Sequence, residues 1–259
     1  MPHAIRNCIK RQIDRFRKSF LQMSDLPFND FFPATVIADI INHTPQRASV
    51  FTPLVTLNAF IFQVLGDHSC KQAVASVLTD RLRDGKAANT VNTGPYCKAR
   101  QRLPLKQLAE AATSVGSRLH QQTPVAWKWK GHNVVLADGT TVLMPDTPDN
   151  QAAFPQQSNQ KPGLGFPIAR MVALISLAAG TVMAYRLGAY QGKGSGETSL
   201  LSQLLDNLSV SDLLLADRYY CTFGIIALLQ SRGIPVLFPQ HAQKKRISAK
   251  ASAWVQKII

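Results

Sequence analysis

The sequence predicts an α+β protein, an all-α basic N-terminal region followed by a mixed domain with element order βββαβαβ. Three observations carry this. Up to about residue 125, apolar residues recur at helical spacing between capping residues and glycines. Beyond it, short aliphatic runs alternate with polar turns. Two of those runs, VVLAD ending at Asp138 and LLLAD ending at Asp217, climb through aliphatics to a single carboxylate.

Residues 1–23 contain IKRQIDRFRKSFLQM, where Ile9, Ile13, Phe16 and Phe20 recur at helical spacing with Lys and Arg between them, a basic amphipathic helix. A Pro- and Phe-rich connection, LPFNDFFP, leads to a short helix from Ala34 to Asn42. Pro53 opens the apolar helix LVTLNAFIFQVLG, ended by Gly66, and Ser69 caps CKQAVASVLTDRLRDG, ended by Gly85. The stretch NTGPYCKARQRLPLKQLAEAATSVGSRLHQQ divides at Leu103-Pro104 into two helical pieces, the first presenting Lys98, Arg100 and Arg102 together. A helix, a short turn and a helix with a basic face fit a DNA groove; two packed helices with a solvated face give the same pattern. Gln121 to Gly131, with Pro124, Trp127 and Trp129, marks a boundary near residue 125.

Strands are expected at His132 to Ala137 and Thr140 to Met144, and Asp138-Gly139 between them also has the composition of a hairpin turn. The polar passage 145–167 is long enough to be a functional loop. Ile168 to Leu177 and Thr181 to Ala189 should form a hairpin turning at Ala179-Gly180. Then come the glycine-rich GKGSGE, a helix from Glu197 to Leu208, the strand ending in Asp217, a helix from Thr222 to Arg232 and a strand from Pro235 to Pro239. Asp217 is followed by Arg218 and two tyrosines rather than by turn formers, so it is either a functional acid or a helix N-cap.

The 259 residues carry a formal net charge of +14, which points to a polyanion and first to nucleic acid. Residues 1–130 hold 18 Lys/Arg against 8 Asp/Glu, so the N-terminal region is expected to supply the main phosphate-contacting surface. A hydrophobic content of 46% excludes a disordered chain. Cys8, Cys70, Cys97 and Cys221 form no CxxC pair and no Cys/His spacing, which argues against zinc or a disulfide framework and for a reducing compartment. With a basic N-terminus that lacks an apolar core, and no 18-residue apolar span, a cytoplasmic protein without membrane contact is expected.

Three strands with an antiparallel pair, then alternating helices and strands, is the ribonuclease-H-like arrangement, in which the first and fourth strands lie side by side and parallel. Asp138 is expected to close the first and Asp217 the fourth, which brings both carboxylates to one end of the sheet. Paired carboxylates in a basic protein suit a hard divalent cation, Mg2+ or Mn2+, and phosphodiester chemistry. Such a site calls for a third acid.

The segments DGTTVLMPDTPDNQ, KPGLGFPIARMVAL, YQGKGSGETSLL and LLLADRYYCTF, with FTPLVTLNAFIFQVL and NTGPYCKARQRLP upstream, resemble the DDE transposases of the insertion-sequence-four family, up to about Gln243. The resemblance implies that Asp138 and Asp217 are the first two acids of the triad and hold the metal. It implies that the loops KPGLGFP and GKGSGE flank the active site, where Lys161, Lys193 and Arg218 are candidate DNA contacts. It also implies Mg2+-dependent cleavage at terminal inverted repeats and transfer of the 3′ ends to target DNA. The expected partners are double-stranded DNA and a second copy in a synaptic homodimer, in a bacterial cytoplasm and on the nucleoid when DNA is bound.

The sequence departs from the family at the third acid, a Glu within Tyr-x2-Arg-x3-Glu-x6-Lys, because no Asp or Glu follows Asp217. Glu197 reads as a first-turn helix residue. The tail RISAKASAWVQKII fits nothing in the family, while back-translated codons read two bases along from Lys245 permit TDFRQGQRLGAKDH, which resembles the family's continuation. A frameshift near Lys245 and a C-terminally truncated transposase are therefore expected, with a DNA-binding domain over 1–125, an incomplete catalytic core over 126–243 and an aberrant tail over 244–259. Three functions follow: an impaired transposase, a non-catalytic DNA-binding module that restrains the intact enzyme by competing or pairing with it, or an unrelated nuclease using Asp146, Asp149 or Glu197 as third acid.

Overall fold

A computed structural model of the chain describes residues 34–42, 49–87, 91–161 and 163–239. The basic helix expected within 1–23 and the tail 244–259 lie outside them. The chain divides into two compact units between Ala111 and Ala112, inside a helix, whereas the composition shift lies at 121–131.

In the N-terminal unit every regular element among the described residues is an α-helix: α1 (Ala34–Asn42), α2 (Pro53–Gly66), α3 (Cys70–Arg83), α4 (Gly94–Gln101) and the start of α5 (Leu105–Gln121). Local chemistry sets the ends. The Thr52 hydroxyl accepts from Val55 N–H and Pro53 takes the first turn of α2, where its missing N–H costs nothing. Ser69 and Gln72 form a reciprocal capping box on α3. Phe51, Val74, Leu78 and fully buried Tyr96 make the core of this unit, and the Tyr96 hydroxyl donates to Gln63 Oε1 at 2.9 Å.

The second unit is built on a five-stranded sheet in the order β3-β2-β1-β4-β5. Its strands are β1 (Asn133–Leu143), β2 (Ile168–Ser176), β3 (Thr181–Ala189), β4 (Asp212–Ala216) and β5 (Val236–Leu237). Strands β1, β2 and β3 pair antiparallel; β4 runs parallel to β1, and β5 to β4. This is the ribonuclease-H-like strand order expected from the sequence. Short helices α6 (Pro148–Ala153) and α7 (Glu197–Ser202), with α8 (Phe223–Ser231), complete the unit, and Val135, Leu174, Leu201, Leu214 and Leu229 form its core.

Two expectations about Asp138 are corrected. The strands foreseen on either side of Asp138-Gly139 are one uninterrupted strand, so there is no hairpin turn, and Asp138 does not close β1. Thr140, Thr141 and Val142 are β-branched and continue the strand with β2 as partner. What ends at Ala137 is the parallel pairing with β4.

Away from that end, α5 is fastened to the sheet by a buried polar brace within the second unit. His120 lies 2.9 Å from Asp212 Oδ1 through Nε2 and 2.9 Å from Ser176 Oγ through Nδ1. Ser209 donates to Asp212 Oδ2 from its N–H at 2.8 Å and its hydroxyl at 3.0 Å. Burial alone would raise the Asp212 carboxyl, but its hydrogen bonds to His120 and Ser209 outweigh that and hold it below the ordinary carboxylate range. Close packing helps: a Cβ on Gly116 of α5 would collide with the Val182 carbonyl of β3.

Candidate active site

Ala137 and Ala216 are the last parallel pair of β1 and β4, and the next residue on each strand is an acid. Asp138 and Asp217 thus each follow the last paired residue of two adjacent strands, whose backbones lie about 4.8 Å apart where they pair. Beyond this point β1 continues beside β2 alone, so the acids sit at a step in the sheet.

Each carboxylate is steadied by one nearby N–H. Asp138 Oδ1 accepts from Gly139 N–H at 2.8 Å, and Asp217 Oδ1 accepts from Tyr219 N–H at 2.8 Å. The N-cap of α8 is Thr222, which removes capping as the role of Asp217. Both acids are exposed and neither has an ion-pair partner among the described residues. Two like charges this close repel unless a cation lies between them. An oxygen-only donor pair fits a hard divalent ion that completes its shell from water or phosphate oxygen. Among the described residues no group of three His, Cys, Asp or Glu stands close enough to enclose an ion.

Glu197, in the first turn of α7, lies against this step. A Cβ on Gly139 would lie 2.6 Å from Glu197 Cδ and 2.9 Å from the Tyr220 hydroxyl. Gly139 is therefore small because a distant carboxylate occupies the space of its side chain. The Tyr220 hydroxyl donates to Glu197 Oε2 at 3.2 Å, while Arg170 Nε lies 3.8 Å from Oε1, an ion-pair distance too long for a hydrogen bond. Burial raises the Tyr220 phenol, and the negative charges of Glu197, Asp138 and Asp217 raise it further. Sequence reasoning placed Glu197 correctly in a first helical turn but missed Tyr220 and Arg170, since only the fold brings them together.

The candidate phosphate contacts fall in different places. Lys193 and Arg218 are exposed in the second unit, Arg218 directly after Asp217, and Lys161 is exposed in the loop after β1. That loop is braced by its glutamines: Gln156 Oε1 accepts from Gly163 and Gly165 N–H, its Nε2 donates to the Gln160 and Lys161 carbonyls, and Gln151 Nε2 donates to Asp146 and the Gly165 carbonyl. Leu164 and Phe166 are left exposed beside Lys161. Lys98, Arg100 and Arg102 belong to the N-terminal unit. Lys98 and Arg102 are exposed there, whereas the Arg100 guanidinium donates to Gln63 and lies 4.6 Å over the Phe60 ring.

Comparison with known proteins bears on this unit. Residues 129–255 match the family described as the transposase DDE domain. The chain is 30% identical over 129 residues to the transposase InsG for insertion sequence element IS4 of Escherichia coli (strain K12), a match covering 50% of this chain and 28% of that protein. Among solved structures it is similar to a piggyBac transposase synaptic complex with hairpin DNA, at 12% identity and a TM-score of 0.42, covering 83% of this chain and 50% of that one. It also matches a Mos1 transposase paired-end complex with left transposon end, at 15% identity and a TM-score of 0.29, covering 78% of this chain and 61% of that one. The step that holds Asp138 and Asp217 lies inside the matched segment, so that over residues 129–255 the chain resembles the transposase DDE domain at the place where the two acids stand.

Proposed function

We propose that the chain binds the ends of its own transposable element and that Asp138 and Asp217 act there in metal-dependent DNA strand cleavage and transfer. The observation that carries this is the placement of the two acids at the sheet step, exposed and without ion-pair partners among the described residues. Asp138 and Asp217 would hold Mg2+ or Mn2+, which when bound polarises the phosphodiester and activates the attacking water or 3′-hydroxyl. The paired strands bring the two acids side by side, and the Gly139 and Tyr219 amides orient one oxygen of each, leaving the other for ligation. Lys161, Lys193 and Arg218 supply phosphate contacts on the catalytic unit, and Lys98 and Arg102 do so on the helical unit. A second copy of the chain would hold the other end in a synaptic pair.

The described residues offer two acids at the step and no group of three His, Cys, Asp or Glu that could enclose an ion, so these residues alone are expected to cleave slowly. That same fact favours a second reading, a non-catalytic DNA-binding module that restrains an intact transposase by competing or pairing with it. Incubating the chain with a plasmid carrying its gene and flanking DNA, in Mg2+ or EDTA, separates the two. Mg2+-dependent nicking at the element's ends that is lost in Asp138→Asn and Asp217→Asn supports the enzyme. Binding to those ends with no nicking supports the module, and neither binding nor nicking overturns both.

A further inference from the structure

We infer that Glu197 is a positioning residue for the Asp138/Asp217 pair, tying the edge of β1 to the turn after β4; this rests on the reading of that pair as the metal-binding acids. The parallel ladder that sets the spacing of the two strands stops at Ala137 and Ala216, one residue short of both acids. No ladder pair lies beyond it, yet a metal-binding pair must keep its separation. Glu197 sits where a tie is needed. Its carboxyl group fills the space over Gly139, the residue after Asp138, so a shift of β1 at this point meets Glu197.

Its other contact reaches the second acid. Tyr220 is buried, its hydroxyl donates to Glu197 Oε2, and its N–H donates to the Asp217 carbonyl at 3.3 Å. Movement of the Tyr220 ring therefore displaces the backbone that carries Asp217. Arg170 holds Glu197 from a third side through the 3.8 Å ion pair, and is itself fixed: Nη1 donates to the Ser195 carbonyl at 3.1 Å and the guanidinium lies 4.9 Å over the Tyr190 ring. Strands β1 and β2 and the turn after β4 thus converge on one carboxylate. The charge of Glu197 also adds to the negative field at the step, which favours a cation there.

Two readouts on the full chain test this. In divalent-free buffer, Glu197→Ala and Tyr220→Phe should each speed amide hydrogen exchange at Tyr219 and Tyr220 about fivefold, the effect of losing one hydrogen bond, with Val172 and Leu214 unchanged. In Mn2+ titrations followed by electron paramagnetic resonance, both variants should bind about tenfold more weakly, as when a supporting partner of a metal ligand is removed. The double variant should be no weaker than the worse single one, because both break the same contact. Unchanged exchange and unchanged Mn2+ affinity in both variants would overturn the inference. If Glu197→Ala loosens the whole unit, Tyr220→Phe, which removes only a hydroxyl, decides. A wild-type chain that binds no Mn2+, or binds it equally well as Asp138→Asn, would instead overturn the metal-binding reading, and the exchange data alone then decide whether Glu197 ties the strands.

Discussion

The carboxyl carbon of Glu197 lies 2.6 Å from the point a Gly139 Cβ would occupy, so a side chain at 139 would have to push the Glu197 carboxylate aside. Gly139→Ala should therefore destabilise the second unit by about 1–3 kcal/mol, the usual cost of overpacking. The discriminating control is Gly139→Ala with Glu197→Ala. In urea unfolding the double variant should lose less than the sum of the singles, and simple additivity would contradict the contact.

Asp138→Asn and Asp217→Asn should act oppositely on stability and on chemistry. Without divalent ions each removes one of two adjacent like charges, so the melting temperature should stay level or rise. Any Mg2+-dependent nicking should fall by about 100-fold or more. A variant that melts lower and cleaves normally would mean the acids are structural.

The His120–Asp212 brace predicts an acid-labile unit. The Asp212 carboxyl is held below its ordinary value of 3.8, so its stabilising contribution is present above that value and is lost as pH falls through the lower folded value. Asp212→Ala should cost about 3–5 kcal/mol near neutral pH, because buried His120 loses its partner. The stability difference from wild type should shrink as pH drops below about 4. A difference that stays constant down to pH 2 would show that the carboxylate is not the source.

DNA affinity should fall steeply with salt. Replacing Lys193 or Arg218 with Ala should reduce the slope of log affinity against log salt by about 1 each, if each neutralises one phosphate. Arg100→Ala should mainly lower the stability of the N-terminal unit, since its guanidinium is taken up by Gln63 and the Phe60 ring. Fluorescence anisotropy from 50 to 200 mM salt, paired with thermal melting, checks both.

What the sequence made legible is what local chemistry decides. Ser69 and Thr222 mark helix starts, Pro53 the first turn of α2, and the LLLAD run a strand breaking at its acid, and all appear as expected. Asp138-Gly139 misled because the pair has turn composition, whereas its glycine answers to a side chain on another element. The His120–Asp212 brace spans 92 residues, and neither residue is marked by its neighbours in the chain. Arg100 belongs with these: its helix shows a basic face in sequence, and the fold turns its guanidinium onto Phe60.

The most direct test of the account is anomalous diffraction from crystals of the chain soaked in Mn2+. The account predicts a peak within about 2.5 Å of carboxylate oxygens of both Asp138 and Asp217, absent from crystals of Asp138→Asn. A peak elsewhere that survives that substitution, or none at a concentration that supports strand cleavage, would contradict it.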